Sequence, residues 1–178
     1  MNRIVFAIVT LAAAVTAAGA DTVKIPKDVI EAGWKKAECT VDLKEVDDEQ
    51  EALALSGKLK LVEIYCWRAA YQAGSIFFVV DPATPDKAQL VRFPIWSVEK
   101  KRLDWSYSLS NPDYDPKTKK LGMGHKGRGM GDCGVTGTWK WTGKKFRLTG
   151  YWSKPECDGE PFDDDDKKWR VYPPRGKR

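Results

Sequence analysis

Histidine is almost missing from this 178-residue chain: His125 is the only one, beside three methionines and four cysteines. A lone imidazole and the lack of any Cys-x-x-Cys spacing argue against a zinc site, so no metal is expected. No serine stands in a nucleophile-elbow pattern. Beyond residue 20 no apolar run approaches the ~20 residues of a membrane helix, so no span is expected in the mature chain. A one-sided charge excess is lacking too. The formal charge is +5, or +4 without Arg3, and mixes 30 basic with 25 acidic residues. That balance suits solubility and weak affinity for anionic surfaces. It is not the basic stripe of a nucleic-acid binder, and no nucleic-acid partner is expected.

What the chain does have begins with an export signature. Arg3, the apolar run Ile4–Val15 and the small residues Ala18-Gly19-Ala20 read as a secretory signal over residues 1–20. Residues 21–172 are then expected to form a single exported domain, periplasmic or secreted, and 173–178 a frayed basic tail. Four cysteines behind a signal favour disulfides over thiol chemistry. Three connectivities are open. Cys39–Cys66 with Cys133–Cys157 is preferred, because each pair lies in one half of the chain and closes a modest loop worth roughly 3 kcal/mol.

The periodicity predicts an α+β, β-dominated domain, a mostly antiparallel sheet with one or two short N-terminal helices. Val29, Ile30 and Trp34 share helical spacing after Pro26. Asp47–Leu59 reads either as a second short helix ending at Gly57 or as the lead into a strand. Leu59–Trp67, Ser75–Asp81 and Ala88–Val98 read as strands, the second buried and the third with an edge or a bulge at Pro94. Leu103, Trp105, Tyr107 and Leu109 alternate strictly, the sharpest strand signal in the chain. Thr136–Trp152 reads as a hairpin turning at Thr142-Gly143-Lys144, with Trp139 and Trp141 on one face. Eight tryptophans are expected mostly in the core, with Trp67, Trp96 and Trp152 the candidates for exposure.

The glycine-laced stretch Gly122–Gly134 carries the candidate site. Its letters match the dinucleotide fingerprint but lack the flanking strand and helix, and no cofactor is expected. Glycines here permit close chain approach beside Cys133. As a binding surface the stretch offers His125, Lys126 and Arg128, with backbone N–H groups suited to an anion, and Asp132 as a further polar contact or loop cap. Asp113 and Asp115 lack the glycine and third ligand of a calcium loop, so an Asx turn is expected there. Asp163–Asp166 reads as a solvated acidic turn.

Several stretches together resemble a bacterial exported domain family of unknown function. They are KGRGMGDCG (126–134), TWKWTGKKFRL (138–148), ECDG (156–159), a late Trp169-Arg170, LVEIYCWRAAY (61–71) and the earlier Cys39. Ala69-Ala70-Tyr71-Gln72 stands where the family pattern has Gly-Ala-Tyr-Asn, and longer relatives carry an additional N-terminal part. The resemblance implies a periplasmic or secreted domain and supplies no activity.

These residues favour a non-catalytic binding or envelope-associated domain, its partner an anionic envelope component or another exported protein. One alternative is a hydrolase of envelope polymers with Asp132 and Glu156 as its carboxylate pair. Another is a secreted enzyme inhibitor. Thiol titration of the denatured, unreduced protein is expected to find no free cysteine; free sulfurs would reopen the case for thiol chemistry.

Overall fold

The computed structural model describes residues 21–163 and 167–174. The expected signal segment, Asp164–Asp166 and the basic end 175–178 lie outside the described residues. The chain runs through β1 (Thr22–Val23), α1 (Lys27–Lys36), β2 (Gln50–Ser56), β3 (Leu59–Arg68), β4 (Ala73–Val80), β5 (Gln89–Leu90), β6 (Phe93–Ser97) and β7 (Arg102–Ser106). It continues through β8 (Ser108–Ser110), β9 (Asp113–Asp115), β10 (Lys120–Lys126), β11 (Gly134–Trp141), β12 (Phe146–Lys154) and β13 (Arg170–Tyr172).

Pro26 caps the start of α1, Asp28 lies in its first turn and Lys35 and Lys36 in its last, the charge order the helix dipole favours. Ile30, Gly33 and Trp34 face inward. Gly33 marks the closest approach: a Cβ there would stand 2.5 Å from the Phe78 ring. The helix therefore lies directly on β4.

The first sheet has the order β1-β2-β3-β4-β5, with β8 also paired to β4. The second has the order β13-β12-β11-β10-β9, and β6 and β7 form a separate hairpin. All of these pairings are antiparallel. Strand β4 supplies both cores. Ile76, Phe78 and Val80 join Ile30, Trp34, Val62 and Ile64 under the helix. Phe77 points the other way and meets Phe93 edge to face at 5.6 Å, and Phe93 in turn meets Trp139 at 5.7 Å. The result is three layers: helix, sheet, sheet.

Two polar tethers leave the second sheet, one to the β6–β7 hairpin and one to the first sheet. The buried Trp139 indole donates to the Pro94 carbonyl at 2.7 Å. Tyr114 donates across to the Ala54 carbonyl at 3.0 Å, and burial pushes its phenol up to about 12, so it stays a donor at any ordinary pH. Cys39, just past α1, is bonded to Cys66 in β3 with a Cα–Cα distance of 4.6 Å. Thr40 and Val41 both donate backbone N–H groups to the Cys66 carbonyl, at 2.9 and 3.2 Å. The helix layer is fixed to the sheet at that point.

Some expectations change. There is one α-helix with three short 3-10 turns among the described residues, and the ambiguous Asp47–Leu59 stretch contains β2. Gly57, at φ 57°, turns a hairpin instead of capping a helix; both jobs need a left-handed residue, so the letter fits either. Gly122–Gly134 is half strand, because Lys120–Lys126 pairs in unbroken register with Gly134–Lys140. The alternating Leu103–Leu109 series is interrupted at Tyr107, and Leu103 and Trp105 face solvent.

Phe77→Ala is expected to cost about 3–5 kcal/mol, since it empties the centre of the inter-sheet core. Leu103→Ala, at an exposed strand, should stay within about 0.5 kcal/mol of the parent. Urea unfolding of both variants checks the pair.

Candidate functional site

The loop expected to bind is folded back on itself, with His125, Lys126 and Arg128 at its exposed surface. Between β10 and β11 the chain doubles back, with the Gly127 N–H bonded to the Cys133 carbonyl at 2.9 Å and Gly131 to Arg128 at 3.0 Å. Gly134 has φ 142°, and a Cβ there would stand 2.0 Å from the His125 carbonyl oxygen, so only glycine fits. Cys133 is joined to Cys157, which follows β12, with a Cα–Cα distance of 4.9 Å.

Asp132 is buried and does three jobs at once. Its carboxylate accepts from Arg128 Nε at 2.7 Å and Nη2 at 2.5 Å, and from the Gly159 N–H at 2.7 Å. The Arg128 guanidinium, then the Gly159 N–H, hold this carboxyl well below the usual range against the cost of its burial. Beside it Lys154, a lysine only 1% exposed, donates to Asp158 Oδ1 at 2.5 Å and to the Glu160 carbonyl at 2.7 Å. Lys154 in turn keeps Asp158 ionised below its ordinary value. Two ion pairs and a disulfide thus clamp one junction.

The structure brings Arg128 and Asp132 together but separates them in role from His125 and Lys126. His125 Nδ1 lies 3.0 Å from Ser110 Oγ. The Lys126 backbone is clasped by Gln72, its N–H donating to Oε1 at 2.9 Å and its carbonyl accepting from Nε2 at 3.3 Å. Glu156 is exposed, outside this network. Asp132, held ionised with both oxygens engaged by donors, is not suited to be the general acid of a carboxylate pair. Asp132, Cys133 and Cys157 cluster closely enough for a metal, yet both sulfurs are spent in the disulfide.

A different feature sits at the other end of β11. Between the β4–β5 connection and the β11–β12 hairpin opens a cleft of about 490 Å³. Leu59, Val79 and Leu90 contribute to its floor, with Trp141 and Phe146 beneath. Exposed Lys87, Arg92, Lys144 and Lys145 line it together with one acid, Asp81. Asp81 is already paired with Lys58 at 2.5 Å and held below its usual range by it. The Arg92 guanidinium stacks on Trp105 at 4.0 Å. A second cleft of about 480 Å³, near β2 and β3, is lined by five acids, Glu45, Asp47, Glu49, Glu51 and Glu63, and by Arg68.

Sequence reasoning missed this basic cleft and the buried Lys154. Lys144-Lys145 was visible only as part of a hairpin turn, and Arg92 carried no local signal. Of the tryptophans, Trp67, Trp96 and Trp152 are half-buried, while Trp105 is 48% exposed.

The Asp132 latch makes a pH prediction. Its folded pKa lies below the ~3.9 of an unfolded aspartate, so its stabilisation is complete above about pH 5 and fades as pH falls below about 4. Protection of the 127–133 amides from hydrogen exchange should follow that course. In Asp132→Asn it should be weak at all these pH values, and dithiothreitol should reduce Cys133–Cys157 faster while Cys39–Cys66 is unchanged.

Comparison with known proteins places these features in a family context. No solved structure matches the chain. The Uncharacterized protein YpfG of Escherichia coli (strain K12) is 28% identical over 132 residues, covering 74% of this chain and 38% of that protein. The chain thus spans well under half the length of this curated relative. The family described as "Protein of unknown function (DUF1176)" matches residues 4–172. With a match of that extent, the chain belongs to the DUF1176 family.

Proposed function

We propose that the protein is an exported, disulfide-stapled binding domain of the bacterial envelope, acting on an anionic component without catalysing a reaction. One observation carries this reading: four exposed cations gather at a cleft whose single acid is already neutralised by Lys58. The residues that would have served chemistry have structural duties instead. Asp132 is saturated by Arg128 and Gly159, and the four cysteines form two bridges. The apolar run before Asp21 and the two disulfides both suit a compartment outside the cytoplasm.

Expression of the full chain in Escherichia coli should return oxidised protein in the osmotic-shock fraction. Mixed with that organism's envelope fraction, the purified protein should sediment at about 0.1 M salt. It should be released near 1 M, where the screening length falls from about 10 to about 3 Å. Protein that stays in the supernatant at both salt concentrations, or sediments equally at both, would overturn the reading.

A further inference from the structure

We infer that the cleft between the β4–β5 connection and the β11–β12 hairpin is a site for a short acidic oligosaccharide, anchored through a carboxylate on Arg92. The inference rests on the binding-domain reading above and adds to it a place and a ligand chemistry.

Size sets the first bound. A cleft of about 490 Å³ is far larger than a bare phosphate or carboxylate ion requires and falls within the range of small-molecule sites. The floor sets the second. Leu59, Val79 and Leu90 offer apolar surface that an inorganic ion would leave unused. The ligand therefore has an apolar face as well as charge. Thr84 and Gln89 on the same lining supply hydroxyl and amide groups, which suit a ligand rich in hydroxyls better than an alkyl chain. A sugar ring has all of these: a C–H face, hydroxyl edges and, in acidic sugars, a carboxylate.

The charges are held in place. Lys144 and Lys145 sit on a turn closed by Thr142, whose N–H and hydroxyl both donate to the Lys145 carbonyl, at 3.0 and 2.8 Å. The facing wall is a hydrogen-bonded turn as well, with Thr84 N–H on the Asp81 carbonyl at 2.9 Å and Lys87 N–H on the Thr84 carbonyl at 3.0 Å. Arg92 is pre-oriented by its stack on Trp105 at 4.0 Å. A planar guanidinium fixed this way can meet a carboxylate with two parallel hydrogen bonds, whereas the lysines act as point charges. Trp105, 48% exposed on β7, backs Arg92 from outside the lining.

Isothermal titration calorimetry of the purified protein with trigalacturonate, galactotriose and inorganic phosphate tests this. Trigalacturonate is expected to bind at about 0.1 M salt, galactotriose at least about tenfold more weakly, and phosphate without displacing it. Arg92→Ala should weaken trigalacturonate about tenfold or more, the loss of a charge-assisted hydrogen bond. Arg92→Lys should recover part of that loss, and Lys144→Ala should weaken binding separately. Lys27→Ala, at an exposed position on α1 outside the cleft lining, should leave it unchanged.

Equal binding of galactotriose would overturn the role of charge, and full displacement by phosphate would overturn the sugar. Trigalacturonate affinity untouched by Arg92→Ala and Lys144→Ala would overturn the cleft. If salt-sensitive envelope binding persists in any of these cases, the binding-domain reading stands and only the present inference falls. Absence of both trigalacturonate and envelope binding removes the two together.

Discussion

Because Ile76, Phe78 and Val80 point to one side of β4 and Phe77 to the other, this strand has apolar side chains on both faces, and each face needs a cover. The helix supplies one and the second sheet the other. Most of the architecture follows from that requirement. Gly33 is where it is so that α1 can approach Phe78, and Cys39–Cys66 pins the helix cover in position. On the opposite side Phe93 and Trp139 fill the space against Phe77, and the Trp139 indole spends its N–H on a proline carbonyl. That carbonyl belongs to a residue with no N–H of its own, which is why β6 can lie at an edge without leaving a donor unpaired there.

The charged residues divide into two populations with different consequences. Arg128, Asp132, Lys154 and Asp158 are drawn into a partly buried clamp around Cys133–Cys157, where each charge is answered by another. Removing one partner of such a pair strands the other, so the clamp behaves as a unit. Around the basic cleft the side chains stay in solvent and the cations are in excess, a pattern that adds nothing to stability and leaves net charge available at the surface. The acidic residues near β2 and β3 line a different cleft, which they share with Arg68.

Much of this was legible in the sequence where one residue type admits one environment. The uninterrupted run 76–80 has no polar position to face water and reads as a buried strand, and the turn at Thr142–Lys145 sits between aromatic-rich strands and reads as a hairpin. The alternation of Leu103, Trp105, Tyr107 and Leu109 was read correctly as extended chain, but periodicity names a side without saying whether anything covers it. Here β7 has only β6 as a neighbour, and two of the four side chains remain exposed. The candidate site was less legible for a similar reason. Lys126 and Arg128 are adjacent cations in the sequence, yet only the fold of the loop turns Asp132 back onto Arg128. The cleft draws Lys87, Arg92 and Lys144 from three separate segments, and no local motif joins them.

The order of the bridges along the chain has a consequence for biogenesis. First cysteine pairs with second, and third with fourth, with separations of 27 and 24 residues. In a polypeptide that emerges amino end first, each sulfur that appears second already has its correct mate waiting. An oxidant that joins thiols in order of appearance gives the native connectivity directly. Thiol–disulfide shuffling, and the isomerase that catalyses it, would then be dispensable for this chain.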